Sequence, residues 1–158
     1  MNVTTDTAII DFQSEYAEDF KTLNIEWLET FFYVEDYDLE VLSNPDKYIL
    51  SKGGRIFFIV LKGRVAGTVA LMKQNDNVYE LTKMAVNPQF RGLKLGQKLM
   101  QHCIDEAKKM NLDKLILYSN TKLENAIYIY RKFGFIEIDQ EANVPYERSD
   151  IKMELQIS

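Results

Sequence analysis

Apolar positions along this chain follow two periods, and the changes between them mark out its elements. Residues 8–12 form a short apolar stretch read as a first strand. Over residues 14–34, Ala17, Phe20, Leu23, Trp27, Leu28 and Phe31 recur at helical spacing, which predicts a helix. Residues 36–42 give a second, shorter helix, stopped by Ser43, Asn44 and Pro45. Residues 55–61 are rich in Ile, Phe and Val and read as a strand. Lys62 and Gly63 then turn into a strand over 65–72. Asn75, Asp76 and Asn77 mark another turn before a strand over 78–86, which Asn87 and Pro88 end. Leu95, Leu99, Cys103, Ala107 and Met110 line one stripe of a helix over 92–110. A strand over 114–118, a helix over 124–133 and strands over 135–138 and 151–155 complete the chain. The order is β-α-α-β-β-β-α-β-α-β-β. A meander precedes β-α-β crossovers, so the expected class is α/β of the α+β type, with a mixed, mostly antiparallel sheet of about seven strands flanked by four helices. No repeat or linker divides residues 1–158, which are read as one domain.

Composition narrows the partners. The 158 residues carry 19 basic and 24 acidic side chains, a net charge of −5, with no basic block of the kind that holds nucleic acid. That weighs against nucleic acid and anionic membranes, and mildly for a cationic or amine substrate. No run of about 18 apolar residues is present, and the first dozen residues lack a signal peptide's basic start and long apolar core. Cys103, the single cysteine, cannot form an intrachain disulfide, so a cytoplasmic protein is expected. No His, Cys, Asp or Glu set has metal-ligand spacing, and no metal is expected.

The most informative segment follows the 78–86 strand. After Pro88, the run Arg91, Gly92, Leu93, Lys94, Leu95, Gly96, Gln97 opens an amphipathic helix. The first N–H groups of a helix lack intrahelical partners, and with the helix dipole they suit phosphate. Gly92 allows positive φ or close ligand approach, and Arg91 and Lys94 add charge. The plainer alternative is a strand-to-helix turn with solvated basic residues. The segment is neither a P-loop nor a dinucleotide fingerprint.

This run resembles motif A of the GNAT acetyltransferases, often R-G-x-G-x-G, through Arg91, Gly92 and Gly96; Lys94 stands at the middle glycine. The strand from Glu80 to Val86 resembles the family's fourth strand. Downstream, Asn125, Tyr130, Gly134 and Phe135 keep the spacing of a second family motif, and the end from Tyr146 to Leu155 resembles a common closing strand. The resemblance implies the GNAT fold, acetyl-CoA as co-substrate, and transfer of its acetyl group to a primary amine of a small molecule or peptide. It leaves a homodimer open, dimers being frequent in the family.

Such a transfer needs a neutral amine, a donor for the developing oxyanion and a proton for the leaving thiolate. The resemblance implies Glu80 as the base; it is otherwise a solvated residue or an ammonium anchor. Strand alternation puts Glu80, Thr82, Met84 and Val86 on one face unless a bulge intervenes. Backbone N–H groups of Met84, Ala85 and Val86, splayed by such a bulge, are implied as contacts to pantetheine and the thioester. Tyr130 matches the tyrosine that protonates the leaving sulfur; otherwise it is core, on one stripe with Ala126 and Phe133. Asn125 is a cofactor contact or a helix cap. Tyr33, Glu35, Tyr146 and Arg148 are candidates for the acceptor site. His102 and Cys103 are read as packing. Three functions remain open on sequence: an acetyltransferase for small amines, one for protein N-termini or lysines, and a non-catalytic acyl-CoA-binding module.

Overall fold

The computed structural model describes residues 6–158; the first five residues, part of the stretch inspected for a signal peptide, lie outside it. Seven strands form one sheet: β1 (Thr7–Asp11), β2 (Arg55–Leu61), β3 (Arg64–Lys73), β4 (Val78–Val86), β5 (Lys114–Ser119), β6 (Ile136–Ile138) and β7 (Ile151–Gln156). Their spatial order is β1-β2-β3-β4-β5-β7-β6, antiparallel throughout except for β4 against β5. The helices are α1 (Ala17–Phe31), α2 (Asp36–Ser43), α3 (Pro45–Tyr48), α4 (Leu95–Lys109) and α5 (Glu124–Lys132). The mixed, mostly antiparallel sheet agrees with the sequence reading. The helix count does not: the described residues hold five, because Pro45 starts a further turn instead of ending helical structure. Proline at a first helical position gives up an N–H that has no partner there anyway.

Both sheet faces are covered. Phe57, Ile59, Leu71, Leu99, Cys103 and Leu115 belong to a core shared with α4. Ile56, Phe58, Ala70, Phe20, Val41 and Leu42 form the core shared with α1 and α2. Successive β2 residues therefore enter opposite cores, which explains why that strand reads as a continuous apolar run. Lys62 (φ 51°) and Gly63 (φ 75°) both take left-handed conformations in the β2–β3 turn, the requirement of a hairpin matched to strand twist.

Two irregularities position the site. Thr68 pairs with Ala85 but Ala70 with Thr82, so Lys83 and Met84 together oppose Val69. Lys83 sits in this bulge at φ 56°. The extra residue reverses the strand's alternation: Met84 and Val86 pack on the α4-side core with Tyr79 and Leu81, away from the cluster that Glu80 and Thr82 join. Secondly, β4 and β5 stay paired only from Val78↔Lys114 to Glu80↔Ile116. Beyond Glu80 they diverge and leave a wedge open between them.

Candidate active site

Two clefts meet at the wedge. One lies between the diverging strands, walled by Asn24 and Trp27 of α1, Thr82 and Lys83 of β4, and Tyr146 and Arg148 ahead of β7. The other is a groove at the start of α4, lined by Gly92, Lys94, Gly96 and Gln97 on one side and Asn125, Ala126 and Ile129 of α5 on the other. Met84 and Tyr130 line both. The bulge that turns Met84 towards α4 thereby places it where the clefts join.

The groove has the form of an anion site. Gly92 is at φ 82° with open space where a side chain would begin, so its backbone is approachable. Lys94, at the N-cap of α4, has φ 58° and ψ 32°, a left-handed conformation that the side chain tolerates poorly. The middle position of the motif thus demands a glycine-like backbone although a lysine occupies it. Leu95 is buried in the core and can offer only its backbone, and Ala85 is buried as well. Arg91 and Leu93 are exposed beside the groove and, like Ala85, Val86 and Leu95, are not among its lining. Asn125 lines the groove from inside α5, whose N-cap is Leu123, so it is not the cap of that helix. Among the described residues the β4 edge facing β5 has no ladder partners past Glu80, which leaves its backbone polar groups free for a ligand.

Behind the wedge lies a buried polar cluster. Glu80, 3% exposed, accepts a hydrogen bond from the Tyr146 hydroxyl at 2.9 Å and from Gln74 Nε2 at 3.4 Å. Burial pushes its carboxyl up, although Lys83, Tyr146 and Thr82 oppose the shift. Glu80 lines neither cleft; Tyr146 stands between it and the opening. The Tyr146 oxygen also lies 3.3 Å from Thr82 Oγ1 and 3.5 Å from Lys83 Nζ. Burial and the Glu80 charge hold that phenol well above its ordinary value. Lys83 Nζ donates to Asp38 Oδ1 at 3.2 Å. Burial pulls its ammonium down, partly countered by Asp38 and Glu80.

Asp38, fully buried in the first turn of α2, also receives Arg148 Nη1 at 2.7 Å and Nη2 at 3.0 Å. Arg148 Nη1 donates further to Glu35 at 2.8 Å, and Glu35 accepts the Glu147 backbone N–H at 2.9 Å. Glu35 is therefore a buried clasp between α2 and the segment before β7. Tyr33, 53% exposed, bonds Glu147 outside the wedge, and neither Tyr33 nor Glu35 lines it. Tyr130 packs edge-on against Phe135; burial raises its hydroxyl, with Ser119 opposing, so it remains protonated at neutral pH. Cys103 is buried in the core, its thiol raised by burial, and His102 packs on Phe57.

The structure thus gathers Glu80, Tyr146 and Arg148 in one cluster and sets Tyr130 at its mouth. Sequence reasoning missed Lys83 and Asp38. A lysine inside a strand whose neighbours are buried was a usable signal, because a buried ammonium demands a partner. Asp38, three residues past Glu35, reads on sequence only as a helix-start acid.

Comparison with known proteins places these features. Residues 16–135 match the family model described as the acetyltransferase (GNAT) family. An IAA acetyltransferase of Azospirillum brasilense is 32% identical over 103 residues, 63% of this chain and 61% of its own length. A spermidine N(1)-acetyltransferase of Escherichia coli K12 is 30% identical over 66% of this chain and 59% of its own length. The chain spans less than two thirds of the length of these relatives. Among solved structures, an acetyltransferase of the GNAT family from Staphylococcus aureus superposes with a TM-score of 0.86 at 24% identity, covering 97% of this chain and 100% of that one. An acetyltransferase of Salmonella typhimurium, described with its cofactor acetyl-CoA, gives 0.77 at 18% identity, covering 98% and 95%.

Proposed function

The chain belongs to the acetyltransferase (GNAT) family, and from that premise we propose that it transfers an acetyl group from acetyl-CoA to a primary amine, by direct attack of the amine on the thioester. The observation that carries this reading is the junction of the two clefts at Met84 and Tyr130. One cleft has the chemistry of a phosphate cradle, and the other ends on a base buried behind hydroxyl groups.

Acetyl-CoA supplies an activated acyl group and a thiolate leaving group; the residues present supply the rest. The backbone N–H groups at the start of α4, with Lys94 beside them, hold pyrophosphate. The unpaired edge of β4 around Met84 to Val86 receives pantetheine and donates to the thioester carbonyl as negative charge develops there. Tyr130, kept protonated by burial, gives its proton to the departing sulfur and regains one from the adduct's nitrogen, which sheds its second proton as the amide forms. Glu80 takes the ammonium proton, and because Tyr146 separates it from the cleft, that proton passes through the Tyr146 hydroxyl. The phenol accepts one proton and hands its own to Glu80 Oε2, ending unchanged. The raised Glu80 carboxyl is closer in basicity to its task than an exposed one would be.

A relative named for spermidine, and a structural neighbour named for the alanine of ribosomal protein S18, leave both small amines and proteins open as acceptors. Release of CoA thiol across a panel of free amines and peptides tests the proposal. Acetyl-CoA should also raise thermal stability, by about 2.7 kcal/mol at one hundred times its dissociation constant. Stabilisation by acetyl-CoA without CoA release from any acceptor would instead identify an acyl-CoA-binding module.

A further inference from the structure

Among the described residues, the charged side chains lining the wedge between β4 and β5 are both cations, Lys83 and Arg148. Their carboxylate partners Asp38 and Glu35, and the base Glu80, do not line it. An acceptor entering the wedge therefore meets positive charge at the wall, with the negative charge set behind it.

The two cations are not equally engaged. Arg148 directs Nη1 at Glu35 and Asp38 and Nη2 at Asp38, at 2.7 to 3.0 Å. An ammonium has three donors, and among the described residues Lys83 Nζ has two hydrogen-bond acceptors, Asp38 at 3.2 Å and the Tyr146 oxygen at 3.5 Å. It also lies 4.6 Å from the centre of the Tyr146 ring and 5.7 Å from that of Tyr37. Both oxygen contacts are long for a charged donor. The Lys83 side chain is only 3% exposed, so bulk water does not make up the difference. Ring faces are weaker partners than an oxygen, so a buried ammonium beside a cleft with only two long oxygen contacts is a seat for an anion. Asn24 adds the complementary group. It is buried in the same wall, its Nδ2 donates to Phe20 O at 2.9 Å, and its Oδ1 is left to accept from a ligand N–H.

Building on the acetyltransferase reading, we propose that the acceptor is a free amino acid or a close analogue, its carboxylate seated on Lys83 and its amine directed towards Tyr130. A diamine or polyamine has no group for Lys83, and a peptide N-terminus has no carboxylate next to its amine. Lys83 is then a specificity residue: it binds what distinguishes the substrate and leaves the bond-making to Glu80, Tyr146 and Tyr130.

The test uses the whole protein with acetyl-CoA and a panel of free amino acids, each assayed beside its own carboxamide, with spermidine as a further arm. The carboxamide's amine is the more readily deprotonated of each pair, so any bias runs against the proposal. For the preferred amino acid, kcat/KM should exceed that of its carboxamide by about tenfold or more, the effect of one hydrogen bond to a charged group. Lys83→Met should bring the ratio to within about threefold of unity, and Lys83→Arg should keep more of it. Carboxamides or spermidine acetylated as well as the amino acids overturn the inference while leaving the acetyltransferase reading intact. If Lys83→Met folds and binds acetyl-CoA like the parent yet loses both members of a pair to the same extent, the inference is also overturned, since Lys83 would then not discriminate the carboxylate. No CoA release from any amine removes the transfer reaction, and this inference with it.

Discussion

Replacing Asp38 by asparagine exposes how the buried cluster is held together. The amide has nearly the shape of the carboxylate, so no cavity opens and the change is one of charge. Asp38 is fully buried, with Lys83 Nζ at 3.2 Å and the two Arg148 terminal nitrogens at 2.7 and 3.0 Å. Without that charge Arg148 keeps Glu35, but Lys83 loses its paired carboxylate and keeps only neutral contacts and the more distant charge of Glu80. Removing one partner of a buried pair costs about 3–5 kcal/mol, against a total stability of roughly 5–15 kcal/mol. At about 2–4 °C per kcal/mol for a chain of this size, Tm should fall on the order of 10 °C.

The pH dependence gives an independent reading of the same substitution. Burial pushes the Asp38 carboxyl up, but the Arg148 hydrogen bonds and the charges of Lys83 and Arg148 outweigh it and leave it below its ordinary value. Between the depressed folded value and the ordinary unfolded one, the unfolded chain binds more protons. The stabilisation is therefore present above the ordinary carboxylate range and lost as pH falls through the folded value. Urea unfolding of parent and variant at pH 7 and pH 3 should show their difference shrinking on acidification. In a Lys83→Met background, Asp38→Asn should cost less, with a coupling of roughly 1–3 kcal/mol. A loss under about 1 kcal/mol at pH 7, or strict additivity with Lys83→Met, refutes the view that Asp38 neutralises buried cations.

Tyr130→Phe keeps the ring against Phe135 and removes the hydroxyl, so turnover should drop by about 10²-fold while calorimetry finds acetyl-CoA affinity within a few-fold of the parent. Glu80→Gln and Tyr146→Phe interrupt one proton path, so each should lower the rate at neutral pH and recover as pH approaches the amine's own pKa; pH–rate profiles of the two variants that differ in shape would separate the residues into different steps. Lys94→Gly should relieve a left-handed lysine and stabilise the fold by about 1 kcal/mol in urea unfolding, whereas Gly92→Val at φ 82° should destabilise it and weaken acetyl-CoA binding through backbone strain alone, since no neighbour crowds that position.

Much of this architecture is written locally in the chain. The apolar runs of β2 and β3, the one-sided stripe of α4 and the turn residues Lys62 and Gly63 depend on neighbours a few positions away, and local pattern exposes them. The same holds for the groove: the start of an amphipathic helix after Pro88, with Gly92 and Gly96 in place, is a property of one continuous segment. The acceptor side is of another kind. Lys83 meets Asp38 from 45 positions away, and Arg148 meets it from 110. No sequence period links residues brought together by α2, β4 and the approach to β7. The bulge at Lys83 decided which of the β4 side chains belong to the cluster and which to the core, and simple alternation predicts the opposite face for Met84 and Val86. The early parting of β4 from β5 opened the wedge. Both depend on how whole strands are held against their neighbours, and only the tertiary structure sets that.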